Sequence, residues 1–333
     1  MIHISHISYY IFVCLLFFCV GCRGKKASVA EERKIDLIFD TDANNALDDQ
    51  HALAYLLLND GVFNVLGITT NATSAGGTIA DNDKEAARVI ALCNKEADVR
   101  LLTGAQGTFE DIQDSLDTTD YDGHQAVNFI IEQARRYSEE NKLLVLAVGK
   151  LTNVALAVKK DTSIVSKIRL VWLGSNYPQP GEYNLVNDIP SVNYLLESGI
   201  HFELVPARYG EPSGTAAVKV SMDEMRKKMQ GAGPQAAKPV VGRYGGSFHC
   251  FGDYSVNLFE HSRHYGDGSM VALFDMATVA IVKNPMWAHS KPIPCPIVKD
   301  KEWVERPDNP HTLTLWENFS RDSILNDFYA TFR

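Results

Sequence analysis

A short apolar run, Ile35-Asp36-Leu37-Ile38-Phe39, leads straight into Asp40-Thr41-Asp42-Ala43-Asn44-Asn45-Ala46-Leu47-Asp48-Asp49, which places four carboxylates within ten residues. The run reads as a buried strand, and Gln50 to Leu58 after it as a helix. The acids therefore fall at a strand's carboxyl end and in a helix's first turn. Open α/β sheets bind their ligands at that edge. Four neighbouring acids repel one another unless a cation neutralises them or some stay protonated. Hard divalent cations such as Ca²⁺ take oxygen ligands of this kind. A plainer reading needs no ligand, because Asp is common in a first helical turn for reasons of the helix dipole. The pattern alone leaves both open.

Strand and helix signals alternate along the chain. Phe63 to Thr70, Leu143 to Val148 and Ile168 to Leu173 read as strands. Asp83 to Cys93, Gln125 to Tyr137 and Leu151 to Val158 read as helices. Such alternation predicts an α/β fold: a Rossmann-like, mostly parallel central sheet covered by helices on both faces. From Gly210 to Gly268 the pattern dissolves, and the glycine-rich pieces Gly231-Ala232-Gly233-Pro234 and Gly242-Arg243-Tyr244-Gly245-Gly246 read as loops. With 45% hydrophobic and 22% charged residues, a packed globule is expected. A net charge of -9 argues against a nucleic-acid partner. Cys93, Cys250 and Cys295 show no metal-ligand spacing and read as buried or idle thiols.

The N-terminus carries an apolar stretch from Tyr9 to Val20, too short for a comfortable membrane span and suited to a signal-peptide core. It ends in Val20-Gly21-Cys22 before turning basic, which resembles a bacterial lipobox with Cys22 as the acylated residue. Cys19 stands where Leu is usual, and the leader has His3 and His6 but no Lys or Arg. The expected organisation is a lipoprotein-type signal peptide over residues 1–22, a polar tether over 23–34 and one domain over 35–333. The expected location is the bacterial cell envelope, held to the membrane by lipid; an ordinary cleaved signal would instead give a periplasmic or secreted protein.

Several further segments end strands in polar side chains: Gly67-Ile68-Thr69-Thr70-Asn71, Gly149-Lys150-Leu151-Thr152-Asn153 and Gly181-Glu182-Tyr183-Asn184. Leu273-Phe274-Asp275-Met276 places one acid at the start of an apolar helix. Each has an ordinary explanation as a cap or turn. Their order along the chain, however, resembles the inosine/uridine-preferring nucleoside hydrolase family. That family opens on Asp-x-Asp-Pro-Gly-x-Asp-Asp and continues with a Gly-Ile-Thr segment. A Gly-Pro-Leu-Thr-Asn turn, a Glu-Phe-Asn loop and a late His-Asp pair follow. Asp40, Asp42, Asp48 and Asp49 match the opening, Gly149 to Asn153 the turn, Glu182-Tyr183-Asn184 the loop, and Asp275 the final acid. The resemblance covers residues 35 to about 200 and a patch around 270–285.

The resemblance implies Ca²⁺-dependent hydrolysis of the N-glycosidic bond of a nucleoside or related riboside. Asp42, Asp49 and Asp275 would bind Ca²⁺, together with a backbone carbonyl at Val148. Asp42 would also take the proton of the attacking water, while Asp48, Asn71, Glu182 and Asn184 would bind the sugar. The transition state expected is oxocarbenium-like. The partner is then a small-molecule nucleoside, and the oligomeric state stays open, a homo-oligomer included.

This chain departs from the pattern in three places. Five residues, Ala43 to Leu47, separate Asp42 from the Asp48-Asp49 pair where the family has three, and the Pro-Gly is absent. Ser74 stands about where the family places a sugar-binding Asn, with Asn71 close by. Phe274 replaces the His that precedes the last acid, a residue linked to leaving-group protonation. His249, His261, His264, Tyr244 and Tyr265 lie in the unmatched stretch and could compensate. The competing reading is a non-catalytic or differently acting ribose- or glycan-binding lipoprotein that kept the acids and lost the proton donor.

Overall fold

The computed structural model describes residues 34–262 and 270–333. The expected leader with Cys22, the tether up to residue 33, and His264 and Tyr265 lie outside the described residues.

Six strands come first: β1 (Ile35–Thr41), β2 (Phe63–Thr70), β3 (Leu101–Leu102), β4 (Leu143–Ala147), β5 (Ile168–Leu173) and β6 (His201–Val205). They lie side by side in the order β3-β2-β1-β4-β5-β6. The strands Thr312–Glu317 and His289–Pro294 extend the sheet beyond β6. Every neighbouring pair is parallel except the last, in which His289–Pro294 runs antiparallel to Thr312–Glu317 at the edge. The α/β expectation is met.

The apolar runs explain the layering. Along β1, Leu37 and Phe39 enter one core cluster while Ile38 enters the other. Along β4, Leu144 and Leu146 take the first and Leu143 and Val145 the second. A strand buried on both faces needs helices on both, and the helix α1 (Asp48–Leu58) covers one side while His124–Ala134 and Thr152–Lys160 cover the other. Each fully buried Leu or Phe contributes about 1.5–3 kcal/mol of apolar burial. No described helix is long and apolar enough to cross a membrane.

Parallel strands of this order reverse direction of winding between β1 and β4. The crevice outside the strand ends at that switch point is where such sheets receive ligands. Asp40 lies there, paired with Ala147 of β4 and Thr69 of β2.

The stretch after Gly210, where the sequence pattern dissolves, contains two helices, Met222–Met229 and Phe251–His261, and the two glycine-rich pieces read as loops lie outside them. Ser221 caps the first by accepting from the Glu224 N–H at 3.1 Å, and Met225 and Met229 are buried. The second buries Phe251, Tyr254, Ser255, Leu258 and Phe259, a clean helical spacing that the glycine-rich flanks disguise. Element ends also move. The helix read from Asp83 is α2 (Ile79–Leu92), whose start is set four residues earlier by the Thr78–Asp81 capping box.

Candidate active site

The carboxyl ends of β1, β2 and β4 gather the acids of the first motif. Asp40 and Asp42 leave the end of β1, while Asp48 and Asp49 open α1. All four are buried. The five-residue loop between them is held down. Asn45 N–H donates to the Asp42 carbonyl at 2.8 Å, and Asn44 bonds the Asn82 side chain and the Gly76 carbonyl. The two extra residues therefore lie against α2 and the 76 turn, and Ala43 and Leu47 pack inward. His51, also buried, pins this junction through the Leu47 carbonyl at 2.5 Å and Ser255 Oγ at 2.6 Å.

Asp275 arrives from far along the chain, in the first turn of the helix Phe274–Lys283. Its carboxylate, with those of Asp48 and Asp49, offers oxygens that all lie within 4.8 Å of one another. Asp48 accepts backbone hydrogen bonds from Phe274 and Asp275, so the two helix starts are tied end to end. Thr41 Oγ1 donates to Asp49 Oδ1 at 2.5 Å, and Thr73 Oγ1 donates to Asp42 Oδ2.

Asp40 stands behind this group and is fully served. It accepts from Thr69 Oγ1 at 2.6 Å, Asn71 Nδ2 at 2.7 Å and Asn153 Nδ2 at 2.7 Å. Gly149 permits the close approach of β4: a Cβ there would meet Asn71 at 2.7 Å and Asp42 Oδ1 at 3.0 Å. Trp172 Nε1, from β5, holds the Gly149 carbonyl at 2.9 Å.

Electrostatics mark the group as unsettled without a countercharge. Burial pushes Asp40 and Asp48 up to about 6 and Asp42 to about 7. Burial, then the charges of their acidic neighbours, holds Asp49 and Asp275 well above the usual carboxylate range. Asp275 Oδ1 and Asn71 Oδ1 are buried and have no hydrogen-bond partner. Unpaired buried oxygens are costly, and the one on Asp275, set among the Asp48 and Asp49 carboxylates, points to a cation. An all-oxygen donor set with no sulfur or imidazole suits a hard divalent ion.

The expected sugar-side residues are close but differently occupied. Glu182 caps the short helix Tyr183–Asn187, accepting from the Ser175, Asn184 and Leu185 N–H groups at 2.6, 2.9 and 2.9 Å. Its φ of +110° is a conformation that L residues rarely adopt. Asn184 Nδ2 donates to the Val148 carbonyl at 2.8 Å and to the Leu173 carbonyl at 3.1 Å. Val148, Glu182 and Asn184 thus form one hydrogen-bonded corner over the ends of β4 and β5. Ser74 is exposed, with its N–H on Asn187 Oδ1.

Tyr244 and His261, named as possible proton donors, stack on each other at 4.7 Å. His249 is exposed. Thr41 and Thr73 are site residues that sequence reasoning did not single out, and Lys150 and Asn153 entered it only as members of the Gly149–Asn153 turn. Lys150 is buried and donates to the Gln106 and Gly107 carbonyls at 2.9 and 2.5 Å, facing Asp188, Asp122, Asp40 and Asp42. For Thr41 and Thr73 the only signal was a place near a strand end.

Comparison with known proteins agrees with the geometry. The family model described as inosine-uridine preferring nucleoside hydrolase matches residues 37–316. A probable uridine nucleosidase 2 of Oryza sativa subsp. japonica is 27% identical over 210 residues, 55% of this chain and 58% of that protein. Uridine nucleosidase 1 of Arabidopsis thaliana is 31% identical over 107 residues, 30% of each chain. The chain thus matches less than two thirds of the length of these curated relatives. The plant nucleoside hydrolase PpNRh1 superposes with a TM-score of 0.70 at 16% identity, covering 90% of this chain and 99% of that one. A purine-preferring ribonucleoside hydrolase from Gardnerella vaginalis gives 0.67 at 18% identity, covering 89% and 98%. At such identities the structural likeness speaks for the fold.

Proposed function

The chain belongs to the inosine-uridine preferring nucleoside hydrolase family, and from that premise we propose that it hydrolyses the N-glycosidic bond of nucleosides or related N-ribosides with Ca²⁺ in its acid cluster. The observation that carries this reading is the meeting of Asp48, Asp49 and Asp275 within 4.8 Å, beside Asp42, with Asp275 Oδ1 left without a partner.

Asp42, Asp49 and Asp275, with the Val148 carbonyl, would hold the ion, and Asp48 stands close enough to share in it. When bound, Ca²⁺ supplies a countercharge to the carboxylates, a hold on vicinal ribose hydroxyls and a lowered pKa for water. Asp42 is the base. Its carboxylate is buried, and the Thr73 hydrogen bond favours the charged form, the form that can take a proton. A water that loses its proton to Asp42 attacks the anomeric carbon as the C1′–N bond breaks. The positive charge that grows on the sugar is met by Asp48 and Asp42. Asn71, through its unpartnered Oδ1, and the Glu182–Asn184 corner would receive the sugar hydroxyls.

Incubation of Ca²⁺-loaded protein with a nucleoside panel, followed by chromatography, tests the reading. Release of free base from at least one nucleoside supports it, and intact nucleosides throughout overturn it. Phe274, which offers no proton beside Asp275, favours the ribose-binding alternative; in that case the same panel would show saturable binding and no free base.

A further inference from the structure

We propose that Tyr209 donates its phenolic proton to the departing base, at the side of the site where Phe274 has none to give. This rests on the hydrolase reading above and assigns it a leaving-group residue.

Tyr209 lies in the loop after β6, in a stretch that none of the matched motifs covers. Its ring meets Phe274 edge to face, with centroids 5.6 Å apart and planes at 73°. Phe274 is the residue directly before Asp275. The phenolic oxygen of Tyr209 also accepts from the Tyr183 N–H at 3.4 Å, and Tyr183 stands between Glu182 and Asn184. One side chain therefore bridges the segment carrying the last acid and the segment carrying the sugar-side corner.

Its backbone is fixed for this placement. Tyr209 N–H donates to Asn176 Oδ1 at 3.1 Å. The preceding Arg208 is buried at a left-handed φ of +49°. Its Nε donates to the Tyr177 carbonyl at 2.8 Å and its Nη1 to Ser213 Oγ at 2.9 Å. Despite this anchoring, Tyr209 is 51% exposed. A large aromatic with its backbone anchored at the rim of a polar site is placed to meet an incoming ring. The neighbouring phenol serves another purpose: Tyr183 Oη accepts from the Ala75 N–H at 2.7 Å and so closes the 74–76 turn.

The step balances. Water forms the new bond to the anomeric carbon and gives its proton to Asp42. The C1′–N electron pair goes to the base, whose nitrogen takes the Tyr209 proton, and the phenolate is reprotonated from solvent. The need is greatest for a purine, whose departing anion is strongly basic, and least for a nitrophenolate.

The test compares wild type with Tyr209→Phe, which keeps the ring and removes the hydroxyl. Turnover of inosine and of p-nitrophenyl riboside is followed with Ca²⁺ present. A positioned acid is worth about 10²–10⁴-fold, so kcat on inosine should fall by about that factor. Turnover of the nitrophenyl riboside and the Ca²⁺-induced rise in melting temperature should stay near wild type. Equal inosine turnover in the two proteins overturns the proposal, as does an equal loss on both substrates, which would mark a packing role. If wild type cleaves the nitrophenyl riboside but not inosine, the hydrolase reading stands and the Tyr209 role falls. If it cleaves neither, both fall.

Discussion

Thr41, the last residue of β1, donates its hydroxyl proton to Asp49 Oδ1 at 2.5 Å, across the loop that separates the strand from α1. The bond orients a carboxylate whose charged form burial opposes. Partners of this kind, behind a metal ligand, are typically worth 10–100-fold in affinity. Thr41→Val should therefore weaken Ca²⁺ binding by about 10-fold, and Asp49→Ala should abolish it. Titration calorimetry reads both, together with the melting shift that binding to the folded state produces. Wild-type heats in Asp49→Ala would remove the cation from this site.

The acids also set a pH dependence. Asp40 and Asp48 at about 6 and Asp42 at about 7 lie above their ordinary 3.8, and Asp49 and Asp275 shift the same way. Between pH 4 and 7 the folded chain therefore binds more protons than the unfolded one, and stability falls as pH rises through that window. Burial lowers His51 from 6.5 to about 4, which works oppositely between those two values. Read against Asp42→Asn, chelated wild type should lose more melting temperature between pH 5 and 7.5. Ca²⁺, which binds the deprotonated acids, should add more stability at pH 7.5 than at pH 5. A Ca²⁺-induced shift independent of pH would contradict the assignment.

How much of this was legible in the sequence follows from range. The strands β2 and β5 were readable to the residue because their apolar and β-branched residues stand in short runs bounded by polar or turn residues. The acids of residues 40–49 were legible as a group because they are local. Asp275 is not local, and only the order of motifs linked it to them. Thr41, Thr73 and Asn153 look like any strand-end or turn residue; what distinguishes them is the carboxylate each one reaches. Tyr209 gave no signal at all, since a loop tyrosine acquires meaning only from the Phe274 and Tyr183 it meets.

Gly149 is a position where side-chain volume alone should be decisive. A Cβ would press on Asn71 at 2.7 Å and Asp42 Oδ1 at 3.0 Å. Overpacking of this sort costs about 1–3 kcal/mol. Gly149→Ala should lower stability by that amount in denaturant unfolding and weaken Ca²⁺ binding as well. Unchanged values for both would mean that the β4 end yields freely.

Location is a separate proposal, resting on Val20-Gly21-Cys22 after an apolar leader. Acylation at Cys22 would anchor the chain, each buried methylene adding about 0.8 kcal/mol and stable anchoring needing more than one acyl chain. Wild type should sediment with membranes and Cys22→Ala should not. Identical fractionation of the two would exclude the anchor.

Phe274 offers the sharpest test of how the leaving group is served. Its ring packs edge-on against Tyr209 and immediately precedes Asp275, so a donor placed at 274 would stand on the same side of the sugar. Phe274→His supplies that donor, and an imidazole with an ordinary pKa of about 6.5 can give a proton near neutrality. In wild type the gain on inosine should be modest, because the Tyr209 phenol already serves. In Tyr209→Phe, where the phenol is gone, the same substitution should recover much of the lost inosine turnover. It should also bring in a fall in rate above about pH 7, as the imidazole loses its proton. The nitrophenyl riboside should remain insensitive to both changes. Recovery without the new pH limb would mean that the histidine acts by packing. Absence of recovery, with Ca²⁺ binding intact, would mean that the base leaves on another side of the site.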